Sequence, residues 1–141
     1  MKAVIQRALE AHVSVDGKVI GSFDGPGLVV LLGVTHEDGA TQVATMVRKI
    51  AELKLTEDMQ SAEEAGLPVM VISQFTLYGS TRKGRKPSWT HAAPASIAEP
   101  LYQQVINGLK ARGLRVETGK FGAMMKVRFT NDGPFTVMVE C

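Results

Sequence analysis

The chain of 141 residues has one cysteine, one tryptophan and only 6% aromatic residues. With Cys141 alone no intrachain disulfide can form, which fits a reducing compartment. A terminal thiol is also too mobile to serve as a held nucleophile. Long hydrophobic runs are missing: the longest, Leu28–Leu32, falls far short of the ~20 residues a helical membrane span needs. Met1-Lys2 leads at once into a strand pattern containing Gln6 and Arg7, so no signal peptide is expected and the reading is soluble and cytoplasmic. A formal net charge of +2 does not argue for nucleic acid by itself; the positions of the positive charges decide that. Nucleophile elbows, His-Glu-x-x-His, Cys-x-x-Cys, Walker loops and Gly-x-Gly-x-x-Gly are all absent. His36, Glu37 and Asp38 are adjacent in a pre-helix loop and read as solvated, not as metal ligands. His12 and His91 have no visible partner. No metal or cofactor is expected.

What is present is an ordinary globular composition, 45% hydrophobic and 21% charged, sized for a single domain over residues 1–141. Lys2–Leu9 and Ala11–Asp16 alternate as strands. Asp16-Gly17 signals a type I′ turn, with Lys18–Phe23 returning. Gly25-Pro26-Gly27 is expected to break the chain before Leu28–Val34, too continuously apolar to have a wet face. Val43, Met46, Val47, Ile50 and Leu53 set a helical period over Ala40–Leu55 with Asp38 as N-cap. Thr56–Leu67 reads as a polar connection and Val69–Ile72 as a buried strand. A second helix is expected over Ile97–Arg112, with Ile97, Leu101, Val105 and Leu109 inward and Gly113 as its stop. Its start is ambiguous, because a Ser96 cap places Pro100 at an uncomfortable position. Short strands follow at Leu114–Glu117, Met124–Thr130 and Thr136–Glu140. Roughly eight strands and two main helices imply a layered α/β domain. Its mixed sheet is partly covered by helices and partly by another sheet or a second subunit.

Two stretches carry candidate chemistry. Val69–Ile72 runs into Ser73, Gln74, Phe75 and Thr76, delivering polar groups to the rim of a core, where α/β proteins place ligands. If the strand continues, Gln74 and Thr76 share one side, and amides beyond its end can meet an oxyanion. The competing reading is a strand end whose hydroxyls cap loop carbonyls. Thr76 as a nucleophile lacks an adjacent base. Directly after lie Arg82, Lys83, Arg85 and Lys86, four positive charges in five residues, with Trp89 nearby. This suits a phosphate-bearing ligand and a stacked base, or else a solvated loop. Gly133-Pro134, between two strand patterns, is either a trans turn or a cis bond turning carbonyls to a ligand.

Ser73–Leu77 (SQFTL) together with Asn131–Thr136 (NDGPFT) resembles the D-aminoacyl-tRNA deacylases. Val4–Arg7, LVVLLGV, Gly84–Ser88 and Gly119–Met125 agree as well. A related class acting on mischarged L-alanyl-tRNA carries a Pro-Gln-Ala-Thr type motif where this chain has Ser73-Gln74-Phe75-Thr76. The resemblance implies a homodimer whose Gly133-cis-Pro134 enters the partner's site and excludes L side chains. Arg7 would fix that motif. Ser73, Gln74, Phe75 and Thr76 would surround the scissile ester, and Met125 would lie by the adenine of the 3′-terminal adenosine. Aminoacyl-tRNA is then the partner, glycyl-tRNA a further substrate, and the terminal 2′-OH an aid to the attacking water. Thr56–Pro68 departs from the family pattern and looks shortened. Phe135 and Trp89 stand where valine and phenylalanine are usual. The alternatives are a non-catalytic RNA-binding module using Arg82–Lys86, and a small-ester hydrolase using Thr76.

Overall fold

Asp16 and Gly17 both take positive φ, 50° and 78°, the backbone a type I′ turn requires. They join β1 (Lys2–Val15) to β2 (Lys18–Gly33) as an antiparallel hairpin. The computed structural model describes residues 1–82 and 84–141. The break expected at Gly25-Pro26-Gly27 does not occur. Ala8 pairs with Gly27 and Glu10 with Asp24, so Gly25 and Pro26 stand opposite Leu9 alone. A bulge of this kind admits a proline without an N–H and a glycine at φ 75° inside a continuous strand.

A larger bulge interrupts β5 (Lys126–Glu140), which pairs with the other side of β1. Gln6 pairs with Thr136 and Ala8 with Asn131, leaving Asp132–Phe135 opposite the single residue Arg7. The two strands expected over Met124–Glu140 are therefore one. With β3 (Val69–Ser73) and β4 (Val116–Thr118) the sheet has five strands in the order β4-β3-β2-β1-β5. Strands β2, β3 and β4 run parallel, and β1 and β5 run antiparallel to their neighbours. Eight short strands become five because bulges carry the ladder through the two glycine-proline sites and β1 runs unbroken through Glu10.

Helices α1 (Ala40–Glu52) and α3 (Ala95–Ala111) cover one face, with the short α2 (Ala62–Ala65) beside them. Ile5, Val30, Leu32, Val69 and Val71 meet Met46, Ile50, Val105 and Leu109 in the main core. On the other face Ala8, Val13, Phe23, Val29, Met70 and Ile72 form a second buried cluster, closed by Met125, Val127 and Phe129. The mixed, partly helix-covered sheet is as the sequence implies.

Three helix details differ from expectation. Gly39, not Asp38, caps α1, and the Gln42 side chain accepts its N–H at 3.0 Å. Asp38 is engaged instead by the Thr35 amide at 2.8 Å and the N-terminal ammonium. Helix α3 starts at Ala95 behind Pro94, with Pro100 inside it. Its buried face is Ala98, Tyr102, Val105, Ile106 and Leu109, while Ile97 is exposed. Val105 and Leu109 point inward as expected, while Ala98 and Tyr102 take the places expected of Ile97 and Leu101. The polar connection 56–67 contains α2, held by a reciprocal cap in which Ser61 Oγ accepts from the Glu64 amide and the Glu64 carboxylate accepts from the Ser61 amide.

The Tyr102 hydroxyl donates to the Val71 carbonyl at 2.8 Å, in a buried site that ties α3 to β3. Tyr102→Phe is expected to cost about 1 kcal/mol and lower the melting temperature by about 3–6 °C, read by calorimetry. Hydrogen bonds from Lys54, then from the Ser61 amide, hold the Glu64 carboxyl down at about 2. Its contribution to stability is present above the unfolded value of 4.5 and is lost as pH falls toward 2. Glu64→Gln should therefore flatten the acid limb of the stability profile in that window.

Candidate functional site

At Ser73 the chain leaves the sheet. The Gln74 amide donates to the Leu32 carbonyl at 2.7 Å, and Phe75–Tyr78 then wind into a 3-10 turn. The strand alternation expected for Ser73–Thr76 thus ends at Ser73. The turn packs on Gly33, where a Cβ would lie 3.0 Å from the Gln74 carbonyl and 3.1 Å from the Leu77 Cβ. Glycine at that position is what lets the turn close against β2. Gln74 and Thr76 still meet, because Gln74 Nε2 donates to Thr76 Oγ1. The amides of Phe75 and Thr76 open the turn, where no earlier turn supplies an acceptor. Among the described residues no backbone carbonyl takes either of them. Two free N–H groups side by side are the donor set an oxyanion needs.

Ser73, Gln74 and Phe75, which lead into this turn, stand at the rim of a cavity of about 450 Å³. Leu32, Val34 and Ile72 supply its floor, and Ala93, Ala95, Ala98 and Tyr102 one wall. Phe121–Met125 supply the other, and Ser73, Gln74 and Phe75 the rim. Of the expected residues, Ser73, Gln74, Phe75 and Met125 line it, and Thr76 reaches it through Gln74. The alanine wall and Tyr102 were not anticipated. The one available signal was the run of small residues from Ala92 to Ala98, which leaves room beside a helix start. The lining contains no Asp, Glu, His, Lys or Arg. Its one phenol, Tyr102, is pushed well above the usual value by burial. The site therefore has no group that titrates near neutrality, and Thr76 has an amide beside it in place of a base.

Arg7 organises the second motif. It is 5% exposed, on the strand facing the four-residue bulge. Its Nε donates to the Asp132 carbonyl at 3.1 Å and meets the Asp132 carboxylate at 3.0 Å. Nη2 donates to the Gly133 carbonyl at 2.7 Å, and the Phe135 ring lies 5.1 Å from the guanidinium carbon. Asn131 Nδ2 closes the ring of contacts on the Arg7 carbonyl at 3.0 Å. The Gly133–Pro134 bond is cis. Both residues are exposed, and neither lines the cavity. Ser73 pairs with Leu32, Leu32 with Ala3 and Ala3 with Val139, so β5 is three strand spacings from Ser73, ~14 Å. Gly133 lies further along β5. One chain does not bring the two motifs together.

The basic loop is closed by paired backbone bonds between Ser80 and Ser88, at 2.8 and 3.0 Å. Arg82, Arg85 and Lys86 are exposed on it, and Lys83 lies outside the described residues. Trp89 packs over Gly79 and meets the Phe75 ring edge-on at 5.7 Å, linking the loop to the cavity rim. His36 is not assembled with acids: its Nε2 is 3.0 Å from the Thr90 carbonyl. Among the described residues no three His, Cys, Asp or Glu side chains converge, and no helix is long and apolar enough to cross a membrane. Cys141 is exposed, and burial of its sulfur pushes the thiol up.

The fold and cavity define an α/β protein whose site is made of backbone amides and uncharged side chains around a ring-sized hole. Comparison with known proteins narrows this. Residues 4–140 match the sequence family described as D-Tyr-tRNA(Tyr) deacylase. The D-aminoacyl-tRNA deacylase of Thermobifida fusca is 55% identical over 140 residues, covering 99% of both chains. That of Micrococcus luteus is 54% identical, covering 99% of this chain and 93% of its own. Among solved structures, one titled c-Myc DNA Unwinding Element Binding Protein superposes with a TM-score of 0.91 at 37% identity, over 100% of this chain and 99% of that one. A second, titled as a probable eukaryotic D-amino acid tRNA deacylase, shares the fold with a TM-score of 0.85 at 21% identity, over 98% and 97%. The chain belongs to the D-Tyr-tRNA(Tyr) deacylase family, a family of hydrolases.

Arg7→Met should release the Asp132–Phe135 bulge while keeping the aliphatic stem. The expected result is amide hydrogen exchange at residues 131–136 at least about tenfold faster, with a stability loss of about 2–4 kcal/mol.

Proposed function

We infer that this protein hydrolyses the ester of D-aminoacyl-tRNA, releasing the amino acid and the tRNA. The observation that carries the reading is the neutral cavity whose rim, Ser73–Phe75, leads into a turn opening with two unclaimed amides, in a chain of this family. A neutral, largely apolar hole suits a nucleobase, here the terminal adenine, with Met125 along one wall. Seating the base brings the ester to Ser73–Thr76, where the Phe75 and Thr76 amides would stabilise the tetrahedral oxyanion. Water adds to the carbonyl carbon, the bond to the ribose 3′-oxygen breaks, and that oxygen leaves with a proton. An aminoacyl ester is already activated, so positioning and oxyanion stabilisation suffice without a protein base. The adjacent 2′-OH of the substrate is the group placed to assist the water.

Chirality would be read by the Gly133-Pro134 bulge of a second copy. Support comes from its exposure, from the Arg7 bonds that fix its carbonyls, and from its distance from its own chain's cavity. Carbonyls holding the substrate's α-amino group leave no space for an L side chain, so rejection works by exclusion. Glycine has no side chain to reject, and glycyl-tRNA would be hydrolysed as well. The name of the 37%-identical structure keeps a second reading in view, a nucleic-acid-binding module without catalysis, using Arg82, Arg85 and Lys86.

The test is deacylation of matched D-tyrosyl-, L-tyrosyl- and glycyl-tRNA with EDTA present. Loss of the D and glycyl esters with the L ester intact is expected. Survival of all three alongside tRNA binding would replace the enzyme with the binding module. Thr76→Ala is expected to lower kcat by no more than about tenfold, since it removes one neutral hydrogen-bond partner. A fall to background would establish Thr76 as the nucleophile.

A further inference from the structure

A second cavity, of about 540 Å³, lies on the far side of the Phe75–Tyr78 turn, and its chemistry is the reverse of the first. Lys2, Thr35, Tyr78, Ser80, Thr81, Arg82 and His91 line it together with Gly79. Two cationic side chains, an imidazole and four hydroxyls face one space, and among the described residues no carboxylate is in the lining. Glu140, 57% exposed, lies 3.2 Å from the Lys2 ammonium, and burial followed by the charges of Asp38 and Glu140 pushes the Tyr78 phenol up. Asp38 is occupied by the N-terminal ammonium. The Lys2 ammonium also sits 5.2 Å above the Tyr78 ring, which fixes its direction. Thr35 gives its proton to the His91 carbonyl, so the donors left to face a ligand are Arg82, Ser80, Thr81 and Tyr78, with the Lys2 ammonium shared between Glu140 and the cavity. Convergent cations and hydroxyl donors without a carboxylate are what a phosphate oxygen needs.

The two cavities are lined from neighbouring positions in the chain. Val34 lines the first and Thr35 the second; Ala93 the first and His91 the second; Phe75 the first and Tyr78 the second. Phe75 and Tyr78 are three residues apart on a 3-10 turn, ~6 Å at ~2.0 Å per residue. That is within the reach of one sugar–phosphate unit.

We propose that this second cavity binds the internucleotide phosphate immediately behind the terminal nucleoside, held by Lys2 and Arg82 with the hydroxyls of Ser80, Thr81 and Tyr78. The assignment rests on the terminal nucleoside occupying the neutral cavity. It gives the protein a two-point grip on a single-stranded 3′ end: a base in an uncharged hole and a charge in a basic one. A phosphate held there sets how far the ester can travel past the oxyanion amides.

The test is equilibrium binding of cytidylyl-(3′→5′)-adenosine, which carries one phosphate, against adenosine, which carries none. The dinucleotide is expected to bind at least about tenfold tighter, the size of one or two charge-assisted hydrogen bonds. Its affinity should fall with salt at a log–log slope of ~0.7 for one phosphate. Lys2→Gln and Arg82→Gln should each erase most of that preference while adenosine affinity stays within twofold, and Lys2→Arg should restore it. Equal binding of the two ligands by the unaltered protein overturns the site. So does a preference that survives both substitutions, or a loss that affects adenosine equally. Because the readout is binding, the function inferred above can fail in the deacylation assay while the dinucleotide preference stands, and the reverse.

Discussion

A guanidinium buried in the middle of a β-ladder is the constraint on which the rest of this structure turns. Arg7 sits on a central strand where an apolar residue would be ordinary, and charge in that position needs compensation. The compensation comes from β5, which carries four extra residues opposite it and turns the Asp132 and Gly133 carbonyls and the Asp132 carboxylate inward. Nη1 is buried with no partner, so the arginine is not fully answered within its own chain. The bulge exists because the arginine holds it, and the arginine tolerates burial because the bulge is there. Shape and charge specify each other.

The cavity side of the molecule takes the opposite course and avoids charge. Its cavity is built where β2 and β3 end and α3 begins. Each contributes by leaving something out: Gly33 a side chain, the turn at Phe75 two acceptors, and Ala93–Ala98 bulk. Such a site can hold a neutral ring and present amides, and it supplies no proton acceptor near neutrality. The ionic groups are kept outside, in the Arg82–Lys86 loop and the basic cavity behind Tyr78. A ligand with a neutral end and a charged tail fits that division. The Tyr102 hydroxyl joins the two layers by fixing the helix wall to the strand that ends in Ser73.

Much of this was legible in the residues. The Asp16-Gly17 turn, the continuous apolar runs of β2 and β3, the period of α1 and the layered mixed sheet all follow from local patterning. The rim Ser73–Phe75 was readable from a buried strand that ends in polar residues, and the Arg7 contact to Gly133 through family resemblance. What was not readable depends on partners far along the chain. Gly25-Pro26 looks like a break until Leu9 is seen to absorb it in a bulge. Asp38 looks like a cap until the N-terminus claims it. Ser96 looks like a cap until Pro94 starts the helix two residues earlier. Lys2 and His91, separated by most of the chain, share a cavity that no spacing announces.

The bulge at Asp132–Phe135 has one more effect, on self-association. Strand β5 is a sheet edge of fifteen residues, and a long regular edge is a template onto which any extended chain can add. Four residues inserted near its middle, including one with no N–H to offer, break that template into two short pieces. Lys126, Arg128 and Glu140 charge the pieces that remain. An edge so divided resists indiscriminate strand addition, leaving only a partner shaped to the interruption. The kink that aims a loop outward is thus also a guard against fibre-like growth.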